Sequence, residues 1–178
     1  MRARRLQNRI LCRLKFALVC GLLLGLAVRA TAAPTEYQVA VIVFAQPLDT
    51  DEDLSDQSPF AWASDMREPI PLPEAQSGLF AAYEQLRRAP NLRPLLHLAW
   101  LQAVEPGQVS APYHVRGAEV EGMVSLEQEE HLYASVDIEY RPADGMIYRL
   151  REKCQLKLDE IHYLDHPAFG VLIKLSRP

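Results

Sequence analysis

The sequence predicts an α+β domain with a single, mostly antiparallel curved sheet of about six to seven strands and one main helix packed on a face. Three observations indicate this class. A β-branched apolar segment of strand length comes first, one amphipathic helical segment follows it, and the second half alternates apolar and polar residues between turn residues. A series of strands with the helix segregated to one face is typical of α+β domains.

The first strand is predicted at residues 37–44, where both alternating sets of side chains are apolar. A strand with two apolar faces is covered on both sides and is therefore central in its sheet. A long acidic and proline-rich loop follows at residues 46–76. A loop of this length is usually functional or mobile. Phe60, Trp62 and Met66 are its apolar anchors, either to the body of the domain or to a partner.

The helix is predicted to begin at Ser77, a favoured N-cap residue type, and to end before Pro90. Its apolar residues form one stripe at helical spacing, which we expect to lie on the sheet. The next apolar segment, residues 93–104, has the length of a second buried strand and is framed by Pro94 and Pro106. A helical crossover allows the first two strands to be parallel neighbours, as in a split βαβ unit, although the sequence does not determine strand order.

Five more strands are predicted from alternation and turn residues, at residues 119–127, 131–140, 148–158, 161–164 and 169–175. In the strand at 131–140 the even-numbered residues are apolar and face inward, and the odd-numbered residues face outward. Asp144-Gly145 supplies the positive φ that a tight hairpin favours. The last two strands meet at a turn around His166-Pro167.

The N-terminal region has the three parts of a secretory signal peptide. Basic residues occupy the first fifteen positions, an apolar segment spans residues 16–28, and small residues close the region at Ala32. The apolar segment of about 13 residues is shorter than the ~20 that a membrane-spanning helix requires. We therefore predict a cleavable signal peptide at residues 1–32 and a single domain at residues 33–178 that is exported to the periplasm. An uncleaved anchor is the alternative, and the position of Cys20 inside the apolar segment argues against a lipoprotein.

Charge and cysteine content limit the partners of the exported domain. The predicted leader holds seven of the nineteen basic residues and none of the 23 acidic ones, so residues 33–178 have a formal net charge of about −11. Such a surface repels phosphate backbones, which excludes nucleic acid as a partner. Cys154 is the domain's only cysteine, so no intramolecular disulfide is expected. Its position on the inward side of a strand favours a structural thiol over a nucleophile.

His162, Asp165 and His166 are residue types that bind zinc, and they lie within five positions. Residues four apart on a strand are about 13 Å apart, which is too far for a single ion held at ~2.1 Å by each ligand. Pro167 also biases His166 toward extended geometry. We therefore predict a structural turn, in which Asp165 accepts hydrogen bonds from local backbone N–H groups, and neither a metal nor another cofactor.

No residue is predicted to be catalytic. Asp137 and Glu139 share a strand face, but no cleft of the kind a glycosidase needs is indicated beside them. Trp100 lies in a doubly apolar segment, so it is predicted to belong to the core, with sugar stacking as the alternative. A tentative binding surface is assigned to five residues around the last hairpin and the second strand: Arg93, His162, Tyr163, Asp165 and His166.

Three segments together resemble the CsiV family of gammaproteobacterial periplasmic proteins. They are the opening strand at residues 37–44, the segment Asn91-Leu92-Arg93-Pro94-Leu95-Leu96-His97-Leu98-Ala99-Trp100, and the ending His162-Tyr163-Leu164-Asp165-His166-Pro167-Ala168-Phe169-Gly170-Val171-Leu172. The ending is the most specific of the three. The resemblance extends over nearly the whole of residues 33–178.

The resemblance implies a non-enzymatic protein that binds peptidoglycan. It also implies support of cell-wall synthesis through a class A penicillin-binding protein and its outer-membrane lipoprotein activator (LpoA-like). The negative charge of the domain then favours a basic protein surface or the zwitterionic peptide stems of the wall as the contact. Two alternatives stay open: a periplasmic metal- or cysteine-dependent hydrolase, and an envelope-complex assembly factor that does not bind glycan.

Overall fold

The computed structural model describes residues 33–48, 54–56 and 58–178. The predicted signal peptide lies outside these residues. The described part contains eight strands and one α-helix, α1. In chain order they are β1 (Thr35–Ala45), α1 (Phe80–Leu86), β2 (Arg93–Val104), β3 (Tyr113–Arg116), β4 (Val120–Gln128), β5 (Leu132–Tyr140), β6 (Tyr148–Leu156), β7 (Ile161–His166) and β8 (Phe169–Ser176). Within the described ranges, no helix is long and apolar enough to cross a membrane.

The strands form two four-stranded antiparallel sheets, which corrects the prediction of one curved sheet of six to seven strands. The first sheet has the order β2-β1-β8-β7, and the second has the order β3-β4-β5-β6. The chain leaves the first sheet after β2, builds the second sheet as a meander, and returns with the last hairpin so that β8 pairs with β1. Alternation reveals which side of a strand is buried, but it does not reveal which sheet the strand joins.

Two further corrections concern the first sheet and the start of the second. β1 and β2 are antiparallel neighbours, with Val39 opposite Trp100, and not the parallel pair of a βαβ unit. The connection between them contains a long loop as well as the short helix, so the helix does not impose a parallel crossover. β3 was not predicted, because its four residues are too few to display a period.

The predicted central strand is confirmed, since β1 is buried on both faces. Val39, Val41 and Val43 belong to the core between the two sheets. Ala40, Ile42 and Phe44 point the other way, where they pack with Leu79 and Leu86 of the helical region. The structure is therefore layered as helix, first sheet and second sheet, and the far side of the second sheet carries no further layer of secondary structure among the described residues.

The helix start differs from the prediction, whereas the Asp-Gly turn and the alternation of β5 agree with it. The predicted helix begins at Phe80 with Leu79 as its N-cap, while Ser77 closes the preceding 3₁₀ turn and accepts a hydrogen bond from the Leu79 N–H at 3.2 Å. Gly145 has a φ of +83°, as the Asp-Gly turn requires. The inward and outward residues of β5 alternate as predicted.

Candidate functional site

The last hairpin divides its candidate binding residues between two faces of the first sheet. Tyr163 and Asp165 are opposite Leu172 and Gly170, on the face that carries the helix. His162 and His166 are opposite Ile173 and Phe169, which belong to the core between the sheets. A strand alternates its side chains, so Asp165 cannot join the two histidines at one ion. In the described part of the chain, no three His, Cys, Asp or Glu side chains are close enough to hold a metal.

Each candidate side chain of the hairpin has a local structural partner, and His162 Nε2 accepts a hydrogen bond from the Lys157 N–H at 3.0 Å. The Tyr163 hydroxyl donates to Asp165 Oδ1 at 2.5 Å, and burial together with this bond raises the pKa of Tyr163 to about 12. Gln46 Nε2 also donates to Asp165 Oδ1, at 3.1 Å. The turn N–H of Ala168 donates to His166 Nδ1 at 3.1 Å, and burial lowers the pKa of this imidazole. The expectation that Asp165 accepts the backbone N–H groups is therefore wrong, because His166 has that role.

Arg93 lies at the other end of the same cross-strand row. The row runs through Arg93, Ala45, Phe169 and His166, so three strand spacings, roughly 14 Å, separate Arg93 from His166. Arg93 donates to both carboxylate oxygens of Glu119 at 2.7 and 2.8 Å and to the Tyr140 hydroxyl at 3.0 Å. This guanidinium links the two sheets. Of the five residues in the predicted binding surface, the structure brings only Tyr163 and Asp165 into direct contact, and a binding role for the set stays a prediction.

The other candidates from the sequence are structural. Trp100 is fully buried, and its Nε1 donates to Gln102 Oε1 at 3.0 Å, which confirms its place in the core. Cys154 is half-buried against the core, and burial raises the pKa of its thiol, so the thiolate is disfavoured.

The outward positions of β3 to β6 form a surface that we call the polar face. Register places its side chains in four cross-strand rows, from β4 through β5 to β6. The rows are Glu121, Glu139 and Arg149; Met123, Asp137 and Arg151; Ser125, Ser135 and Lys153; and Glu127, Tyr133 and Gln155. The face thus combines carboxylates on β4 and β5 with three cations on the edge strand β6.

Arg149 is the centre of a buried ion-pair network on this face. Its side chain is only 2% exposed, and its Nε and Nη2 each donate to Asp137 at 2.8 Å. Glu139, which is 3% exposed, lies 4.0 Å from Arg149 Nη1 and also pairs with Arg141. Asp137 raises the pKa of Arg149. Both carboxylates that share this strand face are therefore occupied by arginines.

The same arginine holds the long loop against the sheet. The guanidinium carbon of Arg149 lies 4.6 Å from the centre of the Phe60 ring, a cation–π contact. Nη1 of Arg149 also reaches the carbonyl oxygens of Ser58 and Pro59 at 3.5 and 3.4 Å. The Phe60 and Trp62 rings are 4.1 Å apart, and Trp62 makes an edge contact with His114 on β3. Trp62 nevertheless stays 43% exposed, so it anchors the loop and also presents a ring surface to solvent.

A groove of about 380 Å³ lies beside this loop on the polar face. Its lining includes Ala63, Pro112, Met123, Ser125, Ser135, Asp137, Arg151 and Lys153. Arg151 Nε donates to Asp137 Oδ2 at 3.1 Å, yet the Arg151 side chain is 63% exposed. Lys153 pairs with Glu127 and lies 5.1 Å from the centre of the Tyr133 ring. Two small hydroxyl side chains line the groove, and its β6 side carries the cations Arg151 and Lys153 together with the acidic Glu152.

The sequence predictions did not identify this site, although the sequence of β6 contains a signal for it. Arg149, Arg151 and Lys153 recur at every second position of β6, which places three cations on one outward side of an otherwise acidic domain. Only the inward set of that strand was interpreted. Phe60 and Trp62 were predicted as loop anchors, but their place beside β6 and β3 has no local signal, because they are far from both strands in the chain.

A family model described as "Peptidoglycan-binding protein, CsiV" matches residues 13–178 of the chain. No curated protein and no solved structure matches the chain.

Proposed function

Because the chain belongs to the CsiV family of peptidoglycan-binding proteins, we propose that it binds peptidoglycan in the bacterial envelope and does not cleave it. The family match spans essentially the whole chain, so the proposal concerns the whole domain. Export by the signal peptide predicted at residues 1–32 would deliver the domain to the periplasm, where this ligand is found.

We assign peptidoglycan binding to the groove on the polar face and to the neighbouring ring of Trp62. The observation that carries this assignment is the open groove itself, with hydrogen-bonding side chains and the exposed Arg151 and Lys153 next to a half-exposed tryptophan. Ala63 lines the groove directly after Trp62 in the chain, and Met123 lines it opposite His114, which Trp62 contacts. Ring and groove are therefore neighbours, and one saccharide–peptide unit can contact both.

The network beneath the groove suits this role because it makes the surface rigid. Arg149 fixes both the strand pair below and the loop above, so the groove wall is already in place before a ligand arrives. A site that is ordered in advance loses less conformational entropy on binding. A groove whose Asp137 is already paired with two arginines also fits a protein that holds the wall and does not hydrolyse it.

Replacing Trp62 with alanine is expected to reduce the fraction of protein that sediments with purified sacculi, with an apparent affinity roughly fivefold lower or more, about 1 kcal/mol. Tyr163→Ala is the matched control, since Tyr163 is a comparably exposed aromatic residue (51%) on the first sheet. Failure of the wild-type protein to sediment at physiological salt would refute peptidoglycan binding. A loss confined to Tyr163→Ala would move the site to the hairpin surface predicted from sequence.

The proposal extends to cell-wall synthesis, through contact with a class A penicillin-binding protein and its outer-membrane lipoprotein activator. The exposed side of the last hairpin, where Ile161 and Tyr163 are each about half exposed, is the candidate surface. A photo-crosslinking residue at Tyr163 should capture one of these two proteins in cells, whereas the same residue at exposed Val109 should not. Capture of neither protein at Tyr163 would contradict this part of the proposal.

A further inference from the structure

We propose that the groove recognises the peptide stem of peptidoglycan through a free carboxylate, with Arg151 as the principal donor. This inference rests on the proposed function and specifies which chemical group of the polymer the groove binds. It separates two contacts on the polar face: a carboxylate in the groove, and a sugar ring beside it at Trp62.

The first argument is the unequal use of the arginines on the polar face. Arg149 is buried and paired with Asp137, and Arg141 donates its hydrogen bonds to Glu139 and Glu121. Arg151 forms a hydrogen bond only through Nε, so among the described residues its two terminal nitrogens have no partner. The two terminal nitrogens of a guanidinium can bind a carboxylate in a bidentate manner, as those of Arg93 bind Glu119. Arg151 is thus the arginine of the groove whose terminal nitrogens no described residue occupies.

The second argument is the state of Asp137, the carboxylate of the groove that Arg151 contacts through Nε. It accepts hydrogen bonds from both Arg149 and Arg151, so its charge is compensated from two sides. An incoming carboxylate would meet a neutralised aspartate and not a repulsive one. The bond to Nε also restrains the Arg151 side chain, which reduces the rotamer entropy lost when a ligand binds.

The third argument is the remainder of the groove lining. No aromatic side chain is among the described residues that line it, so the groove itself offers no stacking surface for a sugar. Ser125 and Ser135 are directly opposed on its floor, and their hydroxyls have no hydrogen-bond partner in the described part of the chain. Small side chains leave room for a main chain with methyl-sized substituents, and the hydroxyls can bond its amide groups.

The test is calorimetric titration of the full-length exported domain with four soluble probes. They are a disaccharide–tetrapeptide, the free stem tetrapeptide, the same tetrapeptide with its carboxylates amidated, and the peptide-free disaccharide. The disaccharide–tetrapeptide and the free tetrapeptide should bind, and amidation should weaken the tetrapeptide at least tenfold. Equal binding of the amidated and free peptides, or binding of the peptide-free disaccharide as tight as that of the complete unit, would overturn the inference.

Arg151→Gln should weaken the free tetrapeptide about tenfold, and Arg151→Lys should weaken it less. Arg116→Gln is the matched control, because Arg116 is an exposed arginine on the opposite edge of the same face, and it should change affinity less than twofold. Equal effects at the two positions would assign the result to general charge and refute the role of Arg151. Sedimentation with sacculi separates the two proposals: sedimentation without any stem dependence refutes only this inference, whereas no sedimentation refutes the proposed function.

Discussion

Replacing Arg149 with methionine is expected to lower the free energy of unfolding by about 3 kcal/mol, at the lower end of the 3–5 kcal/mol typical of a broken buried ion pair. The substitution leaves the buried Glu139 and the partly buried Asp137 without their shared arginine. The loss stays at the lower end because Arg151 and Arg141 still reach these carboxylates. It also removes the contacts to Phe60 and the loop carbonyls, so the loop should detach from the sheet.

Urea unfolding followed by circular dichroism measures this change. The matched control is Arg151→Met, which removes an arginine bound to the same aspartate but exposed, and which should cost less than about 1 kcal/mol. Trp62 fluorescence should shift toward that of a solvated indole only in the Arg149 variant. Equal losses of stability in the two variants would show that the buried network is not what holds the loop.

Trp100→Ala should destabilise the domain by about 3–5 kcal/mol, the usual cost of removing a fully buried large aromatic side chain. The ring is 0% exposed, stacks on Tyr113 at 5.8 Å between ring centres and lies in the core between the sheets. Removal opens a cavity and leaves the Gln102 carbonyl without its indole donor.

Trp62→Ala provides the comparison, since the chain's other tryptophan is partly exposed and should cost about 1 kcal/mol or less. Chemical denaturation of both variants measures the difference, and sacculus sedimentation of both measures binding. The two effects should be opposite, with stability lost mainly at Trp100 and binding lost mainly at Trp62. If the Trp100→Ala domain had normal stability but failed to bind sacculi, the alternative that Trp100 stacks on a sugar would be supported instead.

Most strands could be predicted because their signals are local. The doubly apolar segment of β1, the alternation of β5 and the Asp-Gly turn before β6 each appear within a few residues, and each was found where the sequence placed it. β3 was not predicted, because four residues are too few to establish a period of two. The helix start was placed at Ser77 and lies at Phe80, since a 3₁₀ turn precedes the helix and Ser77 closes that turn.

The candidate site shows the opposite case. The sequence concentrated chemically interesting residues at His162, Asp165 and His166, but the alternation of β7 sends them to different faces and each is used locally. The groove instead joins Ala63 of the loop to β4, β5 and β6. Residues that distant in the chain carry no shared pattern, so their proximity is visible only in the folded structure.

The sequence by itself determined the family, the antiparallel character of the later strands and the side of each strand that is buried, since these depend on residue type and on spacings of two or three to four positions. Tertiary structure decided that the strands divide into two sheets and that Phe60 and Trp62 of the loop contact the second sheet. It also decided that Arg149 is buried, while the terminal nitrogens of Arg151 have no partner among the described residues. The physical reason is that long-range packing selects which strands pair and which charged side chains meet. Local residue patterns do not specify which distant segments of the chain come together.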